Sequence, residues 1–367
     1  MGNGKGNSIF AVIMAGGVGA RFWPRSTERT PKQLLEVLGK GTMIQNTVYR
    51  LDPLVNKENI LVITNKLQVD EVRRQLPQLP SENIIVEPVG KNTAPCIGLA
   101  AEILLTRDPG AVMIALPADH LVHDIVAFQE TMERAVQVAI TTDSLVTIGI
   151  NPTRPETGYG YIQYDADSTE TPTTKYQAYP VKTFAEKPNQ ETAMRFLESK
   201  DFVWNSGIFV WKASVIREVI RDFLPELYEE LQSVQEVVDT DDFDRTIRKA
   251  YAGIPSISID YGVMEKAENT YVIRGDFGWS DLGSWDEVCV LSPKDERGNT
   301  LTENTIALDS RNCHVETHDD RLVAIIGMED CIVIDSEKAI LICRIGKSQR
   351  VKEVVDFLRR KRRNEYL

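Results

Sequence analysis

The first third of this chain alternates short, uniformly apolar runs with longer amphipathic or polar stretches. The apolar runs fall at residues 10–14, 60–64, 84–87 and 112–116, and the stretches between them, at 43–51, 68–75 and 94–105, carry helical texture. Runs this short and this apolar read as strands buried on both faces, and strands that alternate with helices imply a parallel, doubly wound sheet. Ligands of such sheets gather at the carboxyl ends of the strands. The residues that follow each apolar run are therefore where chemistry is sought.

Further along, 145–150 reads as another strand. The following NPTRPETGYGYIQYDADSTETPTT has the Pro, Gly and Thr content of loops and hairpins rather than helices. A strand ending in FAEKP comes next. Helical stretches at 190–199 and 213–238 flank the apolar NSGIFVW, and Pro225 should break or kink the second. A strand near 257–260 and a short helix near 263–267 complete this region. After residue 304 the texture changes to the short strands TIAL, CHVE, LVAIIG, CIVID and AILIC, which predict a small β-domain built as a solenoid of a few coils. In the closing VKEVVDFLRRKRR, Val351, Val354, Val355 and Leu358 share one helical face, which should dock on this chain or on a second subunit. The expected division is a large domain over 1–290 and a small one over 291–367.

Composition narrows the function. The net charge is -12 and the one strongly basic cluster lies at the C-terminus, which argues against nucleic acid as a partner. A polyanionic substrate would need a local basic pocket. Five widely spaced cysteines without a CxxC pair fit a reducing compartment. The apolar run from Ile9 to Ala15 is too short for a signal peptide or a membrane span, so a soluble cytoplasmic protein with no membrane partner is expected. Met1-Gly2 opens like a myristoylation signal, but Gly6 stands where that pattern needs Ser or Thr.

The strongest chemical signal is AVIMAGGVGARFWPRSTERTPKQLL, where a buried-type strand runs into Gly16, Gly17 and Gly19, with Arg21 and then Lys32 beyond. Glycines let backbone N–H groups approach phosphates, and the two cations add charge, so the segment outlines a triphosphate site. Glycines alone also suit a purely structural turn. GGVGAR fits neither GxxxxGK[ST] nor GxGxxG.

Eight blocks together resemble the sugar-1-phosphate nucleotidyltransferases, and within them the mannose-1-phosphate guanylyltransferases. They are AGGVGARFWPRS with PKQLL, EPVGKNTAPCIGLAA, LPADH, GYGYI, FAEKP, NSGIFVW, SIDYGVMEK and GWSDLGSW, in the family's order over nearly the whole chain. The resemblance implies a Rossmann-like, mixed α/β sheet of the nucleotidyltransferase and glycosyltransferase-A type, followed by a small β-domain for which a left-handed β-helix is a candidate form. Longer members continue into a phosphomannose isomerase domain, which is expected to be absent here.

Each block also has a plainer reading. Asp119 of LPADH ends an apolar strand, where a catalytic group or a helix cap would sit. Asp281 of GWSDLGSW is a second acid, beside Trp279 and Trp285 that suit a core. Two acids with substrate phosphate oxygens make a Mg²⁺ site, and the resemblance assigns Asp119 and Asp281 to it. His120 and His123 do not make a convincing zinc site, and His314 and His318 read as surface residues of the β-domain. Adjacent Glu186 and Lys187 form a solvated ion pair in many proteins; the resemblance has Lys187 meet the sugar phosphate and Glu186 the sugar hydroxyls. Asn205 suits either a sugar hydroxyl or a turn, Asp260 is a further candidate for sugar hydroxyls, and Gly158 would offer backbone amides while Tyr159 and Tyr161 pack. Glu87 could accept hydrogen bonds from guanine N1 and N2, with Asn92 and Thr93 either beside the nucleotide or capping a helix. The expected nucleotide site thus comprises Ala15, Gly16, Gly17, Gly19, Arg21, Lys32, Glu87, Asn92, Thr93 and Asp119.

The implied reaction is in-line transfer from GTP to mannose 1-phosphate, with Mg²⁺, Arg21, Lys32 and Lys187 neutralising charge. A heptose or glucose 1-phosphate is the alternative within this chemistry. Outside it stands a noncatalytic, nucleotide-sugar-binding regulator, which has no need of phosphate cations and metal acids together. The tail's apolar face and the β-domain lead us to expect a homodimer.

Overall fold

The computed structural model describes residues 7–17 and 19–367, so the reading of Met1, Gly2 and Gly6 lies outside the described residues. Nine strands make the main sheet: β1 (Ile9–Met14), β2 (Ile60–Asn65), β3 (Ile84–Glu87), β4 (Val112–Pro117), β5 (Leu145–Ile150), β6 (Tyr161–Tyr164), β7 (Ala178–Ala185), β8 (Phe202–Lys212) and β9 (Thr270–Gly275). Their order is β3-β2-β1-β4-β8-β5-β9-β7-β6. The half formed by β3, β2, β1 and β4 is parallel, as the alternating runs predict. β8 then inserts antiparallel between β4 and β5, which makes the sheet mixed.

Uniform apolarity has the expected cause. In β1, Phe10 and Val12 enter the hydrophobic layer on one face, beneath the helix Thr93–Arg107, while Ala11 and Ile13 enter the layer on the other. A strand covered on both sides needs no polar alternation.

Two local expectations are corrected and a third holds. No strand forms at 257–260. Ile257 instead exchanges single backbone bonds with Lys91 and Ala94, and Asp260–Met264 is a π-helical turn. The loop-like Thr171–Tyr176 forms one short helix, opened by Pro172 in its first turn. The stretch 213–238 breaks at Pro225 as expected, into Ala213–Phe223 and Pro225–Leu231 followed by a 3₁₀ segment.

The C-terminal strands are β10 (Thr300–Leu301), β11 (Thr305–Leu308), β12 (His314–Glu316), β13 (Val323–Ile326), β14 (Cys331–Asp335) and β15 (Ile340–Arg344). β10, β12 and β14 stack in parallel, and so do β11 and β13. Thr305 pairs with Val323 and His314 with Ile332 at the same step along the chain, which is the register of a solenoid. Cys313, Val315, Ile325, Cys331 and Val333 fill its interior. His314 is buried at 2% exposure, against the surface reading, because it lies on the face of β12 opposite Cys313 and Val315, pairs with Ile332 of the cluster shared with Phe22 and Trp285, and bonds Glu316, which in turn meets Arg25.

The tail helix Val351–Arg360 docks on its own chain. Val351 and Val355 share one apolar cluster with Phe22, Trp23, Leu35, Leu282 and Trp285, so the β-domain and tail close over the segment that follows the glycines. The Trp23 indole donates to the Tyr366 carbonyl at 2.8 Å, and Arg25 meets Glu316 at 2.5 Å.

Candidate active site

Where β1 ends, two buried glutamines hold the glycine turn. Gln33 donates to the carbonyls of Ala15 and Gly17 at 3.3 and 3.0 Å, and Gln68 donates to Gly17 at 3.2 Å. Gly19 has φ 60°, and a Cβ there would fall 2.8 Å from the backbone N and the Cβ of Lys32. Glycine is required on both counts. The turn and the Lys32 segment thereby pack backbone to backbone.

Lys32 is buried, and its ammonium donates to the Asp119 carboxylate at 2.9 Å and to the backbone carbonyl of Asp281. One cation therefore joins the residues beyond β4 to those beyond β9. A second tie lies alongside, where Leu121 and Ser280 exchange backbone bonds of 2.8 and 3.2 Å. From below, Thr47 and Arg50 donate to the carbonyls of Ala118 and His120. Asp119 caps no helix; Asp124 does that for Ile125–Thr142. A cavity of about 350 Å³ gathers Gly19, Arg21, Lys32, Asp119, Asp281 and Lys352 along its wall.

Burial raises the Asp119 carboxyl, but the charge and hydrogen bond of Lys32, together with neighbouring His120 and a backbone hydrogen bond, hold the group below the usual carboxylate range. Burial pushes His120 down to about 4, so its ring is neutral and Nδ1 accepts from the Trp279 indole at 3.2 Å. Asp281 accepts from the Tyr159 hydroxyl at 2.5 Å. Burial, and then the Asp281 charge, raise the Tyr159 phenol, which keeps it a donor.

Glu186, Lys187, Asn205 and Asp260 assemble separately. Glu186 and Lys187 pair, and the Asn205 amide donates to Asp260 at 2.7 Å. Burial and then the Glu186 charge raise the Asp260 carboxyl. Lys187 holds φ 47° and Leu282, beside Asp281, φ 44°. Strain of this kind gathers at functional sites. Gly158 is exposed and donates its N–H to Glu156. Gly160 is the glycine that lies against this cluster, since a Cβ there would come 2.5 Å from Glu186.

Glu87, at the end of β3, is 5% exposed and accepts from the Tyr251 hydroxyl at 2.8 Å. Burial pushes it up to about 7, opposed by that bond. Its other oxygen faces Gly16, 3.7 Å from where a Cβ would stand. Asn92 caps Thr93–Arg107 by accepting from the Thr93 N–H at 2.9 Å, and the Thr93 hydroxyl accepts from Ile259 N–H. The capping reading of Asn92 is thus realised, with both residues next to the turn that precedes Asp260.

Gln33, Gln68, Tyr159 and Tyr251 were not among the expected site residues. Gln33 and Tyr159 stood inside the blocks PKQLL and GYGYI, but Gln68 and Tyr251 carry no local signal. Their partners are remote in sequence.

Residues 10–298 match the nucleotidyl transferase family, and 303–358 match the mannose-phosphate isomerase and GMP-like β-helix domain. A Klebsiella pneumoniae protein named mannose-1-phosphate guanylyltransferase is 39% identical over 98% of this chain and 75% of its own length. An Escherichia coli protein of the same name is 39% identical over the same shares. The chain belongs to the mannose-1-phosphate guanylyltransferase family. A Thermus thermophilus crystal structure, described as a mannose-1-phosphate geranyltransferase, superposes with a TM-score of 0.83 at 33% identity, covering 96% of this chain and 99% of that one. The guanylyltransferase family thus extends through both the sheet and the β-domain of this chain, and the cleft at the strand ends is its candidate active site.

Proposed function

We propose that this chain joins GTP to mannose 1-phosphate, giving GDP-mannose and diphosphate. The family membership supports the reaction class. The observation that carries the site assignment is the Lys32 ammonium held between Asp119 and the Asp281 carbonyl, in a cavity that Arg21 also lines. A phosphate oxygen of mannose 1-phosphate attacks the α-phosphorus of GTP in line, the bond from that phosphorus to the β-phosphate oxygen breaks, and diphosphate departs with its electrons. The nucleophile is already anionic, so positioning and charge neutralisation are the protein's main tasks.

Arg21 and Lys32 neutralise the triphosphate beside the Ala15, Gly16, Gly17 and Gly19 turn, and Lys187 meets the sugar phosphate. Glu186, Asn205, Asp260 and the backbone at Gly158 orient the sugar. Glu87 reads guanine, with Asn92 and Thr93 beside the nucleotide. Asp119 and Asp281 suit Mg²⁺, because a cation already stands between their loops in the form of the Lys32 ammonium. Among the described residues no cluster of three or more His, Cys, Asp or Glu forms a complete cage, and Mg²⁺ takes few carboxylates plus phosphate and water. Bound there, Mg²⁺ would offset charge on the phosphates of the nucleotide.

Residues 1–290 are proposed as the catalytic domain and 291–367 as its β-helical partner, in a cytoplasmic homodimer. Exposed Leu308 and Ile326, paired across β11 and β13, support the dimer. Among the described residues no helix is long and apolar enough to cross a membrane.

The test is diphosphate release by purified protein with Mg²⁺, each of the four nucleoside triphosphates, and mannose, glucose or heptose 1-phosphate. Release confined to GTP with mannose 1-phosphate is expected. Preference for another pair would change the substrate and keep the site, and no release from folded protein would favour the noncatalytic reading.

A further inference from the structure

We infer that Lys352, on the C-terminal helix, is a phosphate-binding residue of the same active site and contacts the terminal phosphates of the nucleotide. The inference rests on the reaction proposed above and extends it to a domain outside the main sheet. Lys352 lines the cavity that also holds Gly19, Arg21, Lys32, Asp119 and Asp281. Its side chain is exposed.

The helix that carries it is anchored with care. Val351 and Val355, on either side of Lys352, are buried at 2 and 3% exposure among Phe22, Trp23, Leu282 and Trp285. Just before them, Asp286 accepts from the Gly346 and Ser348 N–H groups at 2.6 and 3.1 Å and from the Ser348 hydroxyl at 2.6 Å. Arg359 reaches Glu28 at 3.3 Å near the far end. The first turn is therefore fixed on the segment that follows the glycines, and Lys352 faces the cavity from a rigid element rather than from a tail.

The cavity's composition says which part of the substrate Lys352 meets. Its walls come from the glycine turn, Lys32 and the two acids, whereas Glu186, Lys187, Asn205 and Asp260 take no part in them. An ammonium at that end meets phosphate and not sugar, as a point charge. The ligand class is the diphosphate end of a nucleoside triphosphate, which is also the leaving group.

The experiment compares wild type with Lys352→Gln, Lys352→Arg and the control Lys361→Gln. Inorganic pyrophosphate is titrated calorimetrically with Mg²⁺ present, and KM is measured for GTP and for mannose 1-phosphate. Loss of one charged phosphate contact predicts roughly tenfold weaker pyrophosphate binding and a roughly tenfold higher KM for GTP in Lys352→Gln. KM for mannose 1-phosphate and the melting temperature should hold, Lys352→Arg should recover most of the loss, and Lys361→Gln should match wild type. Unchanged pyrophosphate binding in Lys352→Gln, or equal weakening for both substrates, would overturn the inference. A wild type that turns over no substrate pair would sink the proposed reaction, while the titration would still decide the role of Lys352.

Discussion

Lys32 donates to Asp119 across 2.9 Å and to the Asp281 carbonyl, so one buried cation spans the loops that leave β4 and β9. The same ammonium neutralises Asp119 in the free protein. Asp119→Asn should lower turnover by roughly 10²- to 10³-fold, the range for removal of one electrostatic catalytic group. Asp119 is about a third exposed, so the melting temperature should change little. Steady-state kinetics beside calorimetric melting check this, and an unfolded variant would assign Asp119 a structural role instead.

Glu87 sets a pH dependence. Its carboxyl titrates near pH 7 in the fold, above the ordinary value of 4.5, chiefly through burial. The folded state holds this proton more tightly than the unfolded chain, so the linked stability is fully present below about pH 4.5 and is lost as pH rises through 7. The loss is at most about 3 kcal/mol. Glu87→Gln removes the titration, so its melting temperature relative to wild type should rise between pH 5 and 8. A constant difference across that range would refute the assignment.

Gly19→Ala tests the packing of the turn. With φ at 60° and a Cβ contact of 2.8 Å to Lys32, the substitution strains the backbone and displaces Lys32. We expect about 1–3 kcal/mol of destabilisation in urea titration, together with a raised KM for GTP. Full stability with normal kinetics would mean that the turn tolerates a side chain.

Tyr159→Phe removes the hydroxyl bound to Asp281 and leaves the ring between Trp204 and Trp279. Turnover should fall roughly tenfold, and more Mg²⁺ should be needed for half-maximal rate, since a neighbour that orients a ligating carboxylate tunes its affinity. An unchanged metal requirement would reduce Tyr159 to packing.

The exposed side chain of Ile326 predicts the assembly. Ile326→Glu places a charge on the apolar face it shares with Leu308 and should convert a dimer to monomers in light scattering, with turnover retained. A monomeric wild type would remove the premise.

Sequence alone determined what is local. A strand covered on both faces declares itself as an apolar run, so β1 to β4 were legible, and Pro225 declared its break because a proline ring cannot continue the helix before it. The glycine turn with Arg21 and Lys32 was legible for the same reason, since its chemistry lies within one stretch of chain. Ile257 and Ile259 mimicked a strand because alternation reports burial, whereas the backbone partners there are single bonds to Lys91 and Ala94. Only the tertiary structure decided that Lys32 lies between Asp119 and Asp281, that Tyr251 supports Glu87, and that the tail helix brings Lys352 to the glycine turn. Each of these joins residues far apart along the chain, and such contacts are set by how helices and strands pack, which no local pattern encodes.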